Sequence, residues 1–146
     1  MKAKIYKVVD CNKMLDTAKI SKLEETEVIK ILKARKVMRP IVEEYDAFLK
    51  DCQEKFKEDG LEEADKVRME VIKKFEEDNS YRPSQSEIDA INLVNGYFSK
   101  VNSAINEERE KEIDLNIETL KEGSDSKLLV ANDWTPSDLD KIKIIL

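Results

Sequence analysis

The chain has 146 residues, 40% of them charged and 40% hydrophobic, with three Gly, three Pro and a formal net charge of −6. That balance excludes a disordered chain, which lacks apolar residues to bury, and a turn-rich all-β fold, which needs more Gly and Pro; it describes long helices with one wet face. The negative charge argues against direct nucleic-acid binding, and no apolar run approaches the roughly 18 residues of a membrane span.

Taken in chain order, residues 3 to 9 set Ala3, Ile5, Lys7 and Val9 against Lys4, Tyr6 and Val8. This alternation, with several β-branched or aromatic members, predicts a short strand. The segment lacks the continuous apolar stretch of a signal peptide, so an intracellular, soluble protein is expected. A helical turn or loop is expected over Asn12 to Lys19. Cys11 and Cys52 are the only cysteines and belong to no CxxC, which favours reduced thiols over a disulfide.

Ser21-Lys-Leu-Glu24 has the form of a capping box, a hydroxyl and a carboxylate three residues apart that satisfy each other's free amides at a helix start. Apolar residues then recur in steps of three and four at Val28, Ile31, Leu32, Met38, Ile41, Val42, Tyr45, Leu49, Cys52 and Phe56. They predict a long amphipathic helix. Pro40 interrupts it, removing one backbone donor, and predicts either a kink or two helices meeting at Arg39. The basic cluster Lys33, Arg35, Lys36 and Arg39 reads as a solvated helix face. Glu58-Asp-Gly60 should end the helix.

Leu61, Ala64, Val67, Val71, Ile72 and Phe75 predict a second, shorter helix, closed by the polar run Asp78 to Pro83. Ser84-Gln-Ser-Glu87 is another capping box and opens a third, whose stripe is Ile88, Ile91, Val94, Phe98, Val101 and Ile105, close to the heptad spacing of a coiled coil. The two long helices are expected to pack antiparallel, each covering the other's stripe. Glu112 to Leu120 then alternates polar and apolar and predicts a strand that pairs with the N-terminal one. Gly123 to Ser126 reads as a turn and Lys127 to Val130 as a third strand. Thr135-Pro-Ser-Asp138 reads as a helix start, with a hydroxyl cap, proline in the first turn and a carboxylate at the amide end. Its buried side would be Leu139, Ile142, Ile145 and Leu146.

The fold class expected is α+β, mainly α, in one domain over residues 1–146. It is a long antiparallel hairpin of amphipathic helices, a small antiparallel sheet of the N-terminal strand and strand 112–120, and a short C-terminal helix.

Chemistry is conspicuous by omission. The chain has no His, which removes the commonest general base and most zinc and iron sites, and no phosphate-cradling glycine loop. Carboxylates cluster at Glu24, Glu25 and Glu27, at Glu43 and Glu44, at Glu62 and Glu63, at Glu76 to Asp78, and at Glu107 and Glu108. Each cluster neighbours Lys or Arg, so solvated faces are expected rather than a metal site. Trp134 reads as a staple packing ahead of the last helix rather than as a partner's anchor. Tyr45, Phe48, Tyr97 and Phe98 read as packing between the long helices. No catalytic, cofactor-binding or metal-ligating residue is singled out, and no cofactor is expected.

The segments Phe98 to Glu110, Ile113-Asp-Leu-Asn-Ile117 and Trp134-Thr-Pro-Ser-Asp-Leu-Asp-Lys-Ile142 resemble a group of small uncharacterised bacteriophage and prophage proteins, and the opening Lys4 to Asp10 fits them as well. Those proteins share the order strand, charged helical hairpin, V-x-L-x-I strand and terminal SP-x-DL helix. Residues 59 to 84 are longer and more acidic than that pattern. The resemblance implies a phage context, in the cytoplasm of a bacterial host, and no activity.

The function expected is therefore a non-enzymatic interaction or assembly accessory that meets a protein partner, or a second copy of itself, through helix faces. The alternative is a phage-encoded inhibitor whose acidic surface competes for the basic groove of a host defence or nucleic-acid enzyme.

Overall fold

Eight helices and strands, joined by loops and closed by a short 3-10 turn at Lys143–Ile145, follow from where the chain must bury its apolar side chains. The computed structural model describes residues 1–146. In order they are β1 (Lys2–Lys4), α1 (Ile5–Asp16), α2 (Glu25–Lys55), α3 (Leu61–Glu77), α4 (Gln85–Glu110), β2 (Glu112–Asp114), α5 (Ser124–Asn132) and α6 (Pro136–Lys141). The α+β, mainly α class, the small antiparallel sheet and the short C-terminal helix are all present.

Packing divides the chain into two compact units, Met1–Phe48 with Glu107–Leu146, and Leu49–Asn106. Helices α2 and α4 contribute residues to both.

In the first unit β1 pairs with β2 so that Lys2 faces Asp114, Ala3 faces Ile113 and Lys4 faces Glu112. Two opposite-charge pairs flank one apolar pair, a favourable cross-strand pattern. The N-terminal strand is shorter than the alternation suggested, because Ile5 onward is helical. Val8 and Val9 are adjacent and both buried, which no strand with one wet face allows. Ile5, Val8, Asn12 and Leu15 instead follow helical steps of three and four and turn one side of α1 inward. The second strand is equally short. Pairing continues only to Leu115, whose N–H donates to the Met1 carbonyl at 2.7 Å. Beyond it the chain is irregular and anchored by buried Leu120, whose N–H donates to the Ile145 carbonyl at 2.7 Å.

The main core gathers Val8, Cys11 and Leu15 of α1, Ile31, Ala34 and Met38 of α2, and Leu115, Leu120, Leu128, Ile142 and Ile145. Trp134 packs against it part-buried. The third strand expected at Lys127–Val130 does not form. Those residues lie in α5, where Ser124 and Leu128, four apart, face inward, and Gly123 precedes the helix with φ 92°. At Thr135 the expected start is present in full. Its side chain accepts from the Asp138 N–H, the Asp138 carboxylate accepts from the Thr135 N–H, and Pro136 opens α6.

Helix α2 begins at Glu25, three residues later than the Ser21 motif indicates. The amides of Glu27 and Val28 both donate to the Glu24 carbonyl, and buried Leu23 fixes the loop before it. Pro40 does not divide the helix, which runs on to Lys55. Leu32, placed on the buried stripe by its spacing, is 54% exposed.

In the second unit Leu61 and Ala64 of α3 pack on Val94 of α4, with Ala90, Leu93 and Tyr97 around them. Gly60 takes φ 83° ahead of α3 rather than closing α2. Ser84 caps α4 as expected. The Glu87 N–H donates to the Ser84 hydroxyl at 3.3 Å and the Ser84 N–H donates to the Glu87 carboxylate at 2.9 Å.

Candidate functional site

The clustered carboxylates are spread along separate helices, where Glu25, Glu43, Glu44, Glu62, Glu63, Glu76, Glu77 and Glu107 are exposed, and several acids of the chain pair with cations. Glu24 pairs with Lys121, Asp65 with Arg68, Glu87 with Lys74, Glu108 with Lys111 and Glu110 with Lys4. No three His, Cys, Asp or Glu side chains come together in a group able to hold a metal ion. Cys11 and Cys52 are both free and buried. Burial pushes the Cys11 thiol up to about 12, away from the thiolate that nucleophilic chemistry uses.

One member of the acidic clusters is not on a wet face. Glu27 is buried, and its carboxylate accepts from the Lys121 backbone N–H and the Lys30 ammonium, both at 3.1 Å. Burial by itself would raise its pKa. The Lys121 N–H and the Lys30 charge outweigh that and hold the group below the ordinary glutamate value. The carboxylate is thereby consumed in tying the loop before α5 to α2, and it has no free face toward a substrate. Its neighbours in sequence gave no sign of this, because the residue that selects it, Lys121, lies 94 positions away.

A cleft of about 700 Å³ opens in the first unit, lined by Lys2, Tyr6, Lys7, Asp10, Asp140, Lys141, Lys143 and Ile144 among others. Its walls carry both signs of charge and neither a histidine nor a thiol. It offers hydrogen bonds and ion pairing of both signs to a bound molecule.

The second unit presents the feature best suited to a macromolecular partner. Met69, Ile72 and Phe75 follow one another at steps of three on α3 and are 48%, 40% and 39% exposed. Phe98 of α4 is 43% exposed, and the Arg68 guanidinium lies 5.7 Å from its ring centroid, which brings the α3 row beside it. At the other end Phe75 meets Tyr81 edge to face, ring centroids 5.8 Å apart. The result is an apolar ledge along the α3–α4 seam. The neighbours of Met69 and Ile72 at steps of three and four include Asp65, Lys66, Arg68, Lys73 and Glu76, with Asp65 paired to Arg68, so the ledge is bounded by both signs of charge. Ile72, Phe75 and Phe98 were expected in the core. The buried face of α4 is instead Ala90, Leu93, Val94, Tyr97 and Val101, and Phe98 falls to its margin.

Comparison of the chain with protein-family models, with curated proteins and with solved structures finds no match in any of the three.

Proposed function

We propose that the protein is a non-enzymatic interaction component of the phage or prophage kind, which holds a partner on the α3–α4 ledge. The exposed row Met69, Ile72 and Phe75 beside Phe98 carries this reading. Large apolar side chains grouped on one seam cost solvation unless something covers them, and such groups mark interaction sites. The partner that fits is an amphipathic helix whose apolar residues lie on the ledge and whose polar margins meet the mixed charges of Lys66, Lys73 and Glu76. The phage context rests on the resemblance of the Phe98–Glu110, Ile113–Ile117 and Trp134–Ile142 segments.

The test is affinity capture from the source cell during phage induction, with the wild-type chain beside a Met69→Ser, Ile72→Ser variant. Both positions are exposed, so the variant should keep its fold. The expected outcome is a protein held by the wild type and lost at least tenfold by the variant. A partner held equally by both overturns the ledge. A basic nucleic-acid enzyme held equally by both and released steeply by salt would establish the inhibitor reading in its place.

A further inference from the structure

The first half of α2 breaks the charge pattern of the rest of the chain. Lys30, Lys57, Arg68, Lys111 and Lys141 each pair with an acid three residues earlier. Lys33, Lys36 and Arg39 have a cation three residues earlier instead, namely Lys30, Lys33 and Lys36 in turn. All three are exposed. Their neighbours Lys30 and Arg35 hold Glu27 and Asp16, while the three themselves hold no carboxylate. From Val28 to Val42 the sequence has no acid at all, in a chain of net charge −6. Like charges three apart on a helix repel, so the run weakens the helix unless an anion meets it.

Cations alone would leave this the solvated face that the sequence suggests. The structure adds two large apolar side chains to it, Ile29 at 42% and Leu32 at 54% exposure. With 3.6 residues to the turn, Ile29, Leu32, Lys33, Lys36 and Arg39 fall within an arc of about 120°. That arc lies opposite the buried Ile31, Ala34 and Met38, so nothing of the core covers it. The face is polarised along the helix, with the apolar pair toward its N-terminal end and the free cations beyond.

We infer that this face docks a short acidic segment of a partner protein, apolar at one end and rich in Asp or Glu at the other. Charge complementarity selects an anion, and Ile29 with Leu32 selects one that brings apolar side chains. Size selects a short one. Ile29 to Arg39 spans about 15 Å of helix. The exposed Glu25 precedes it, and the exposed Glu43 and Glu44 follow it. A nucleic-acid strand or an anionic membrane would run past both ends and meet those acids, whereas two or three turns of peptide would not. A phosphate backbone would also leave Ile29 and Leu32 without apolar contacts. None of these residues belongs to the α3–α4 ledge.

Fluorescence anisotropy with the full chain tests this. The probe is a labelled synthetic helix of about 16 residues, long enough to hold its form, with a Leu pair at one end and a Glu row at the other. A short single-stranded oligonucleotide and phosphatidylserine vesicles stand for the rival occupants. The expected result is saturable micromolar binding of the peptide, weakened about tenfold by Lys33→Glu with Lys36→Glu and equally by Ile29→Ser with Leu32→Ser. All four positions are exposed, and circular dichroism checks that each variant keeps its fold. Lys7→Glu with Lys50→Glu, which reverses two exposed cations elsewhere, should leave the affinity within about threefold. No binding at hundreds of micromolar overturns the inference, as does indifference to either α2 variant or an equal loss in the control. Tighter binding of the oligonucleotide or the vesicles overturns it too. Loss on Met69→Ser, Ile72→Ser would show that the peptide reads the ledge, and would remove the α2 face while leaving the ledge standing.

Discussion

Glu87 shows how much organisation a single carboxylate supplies at a chain reversal. It accepts from the Ser84 N–H at 2.9 Å and the Tyr81 hydroxyl at 2.7 Å, with the Lys74 ammonium at 3.4 Å. The Ser84 amide first, and then the Tyr81 hydroxyl, pull its pKa from the ordinary 4.5 down to about 2. A carboxylate with a depressed folded-state pKa stabilises the fold above its unfolded value and loses that contribution as pH falls through its folded one. Glu87→Gln should therefore lower the melting temperature at neutral pH, and its gap to the wild type should narrow below about pH 4.5 and close near pH 2. A gap that is constant with pH would show that the charge plays no part. Cys11 supplies a second residue-scale prediction. Buried and pushed up to about 12, it should react with a disulfide reagent only as fast as the protein opens, and denaturant should remove the protection. Labelling of native protein at the rate of a free thiol would contradict that.

At the scale of elements, legibility in the sequence depended on how local the determinants are. The starts of α4 and α6 are readable because their capping residues lie within four positions, a capping box at Ser84 and a hydroxyl cap with proline at Thr135, and the geometry shows both starts. Replacing Thr135 by Ala should cost about 1 kcal/mol of stability in chemical denaturation, the usual effect of losing a hydroxyl cap; no change would mean that Pro136 and Asp138 suffice alone. The sequences of α1 and α5 fit strands as well, for a related reason. Three or four apolar residues in a short run fit either period, and the arbiter is which of them the rest of the chain can cover. For α1 the answer comes from α6 and the closing 3-10 turn, more than a hundred residues later, which pack against it. For α5 it comes from one side chain. Leu128 is fully buried, so Leu128→Ala should cost about 2–5 kcal/mol, whereas Val130→Ala, at 78% exposure on the same helix, should cost almost nothing. Equal costs would mean that α5 is not held by its inward face. The ledge was illegible on the same grounds. A stripe read at steps of three and four drifts around a straight helix, and only the packing of Leu61, Ala64 and Val94 shows on which side Phe98 is left.

For the molecule as a whole, the distribution of buried apolar side chains sets what opens first. Cys52, Leu61, Ala64, Val71, Val94 and Val101 are the buried apolar residues of the unit Leu49–Asn106. All the others, including the fully buried Ile31, Met38, Leu128, Ile142 and Ile145, belong to the unit formed by the two ends of the chain. Regions with few buried contacts open at lower free energy than the global transition. Native-state hydrogen exchange should accordingly show the α3 amides exchanging through a smaller opening than those of α1 and the first half of α2. Val94→Ala should then sharpen the contrast. Removing two methyl groups from the smaller core should accelerate exchange in α3 and in Gln85–Asn106, by tenfold for each ~1.4 kcal/mol lost, while α1 amides keep their wild-type rates. If every amide accelerated together, the chain would open only as a whole and the two cores would be energetically one. The contrast bears on the proposed function as well, because the ledge lies in the unit with the smaller core. A partner bound there would add the apolar burial that unit lacks, and its arrival should slow α3 exchange far more than that of α1.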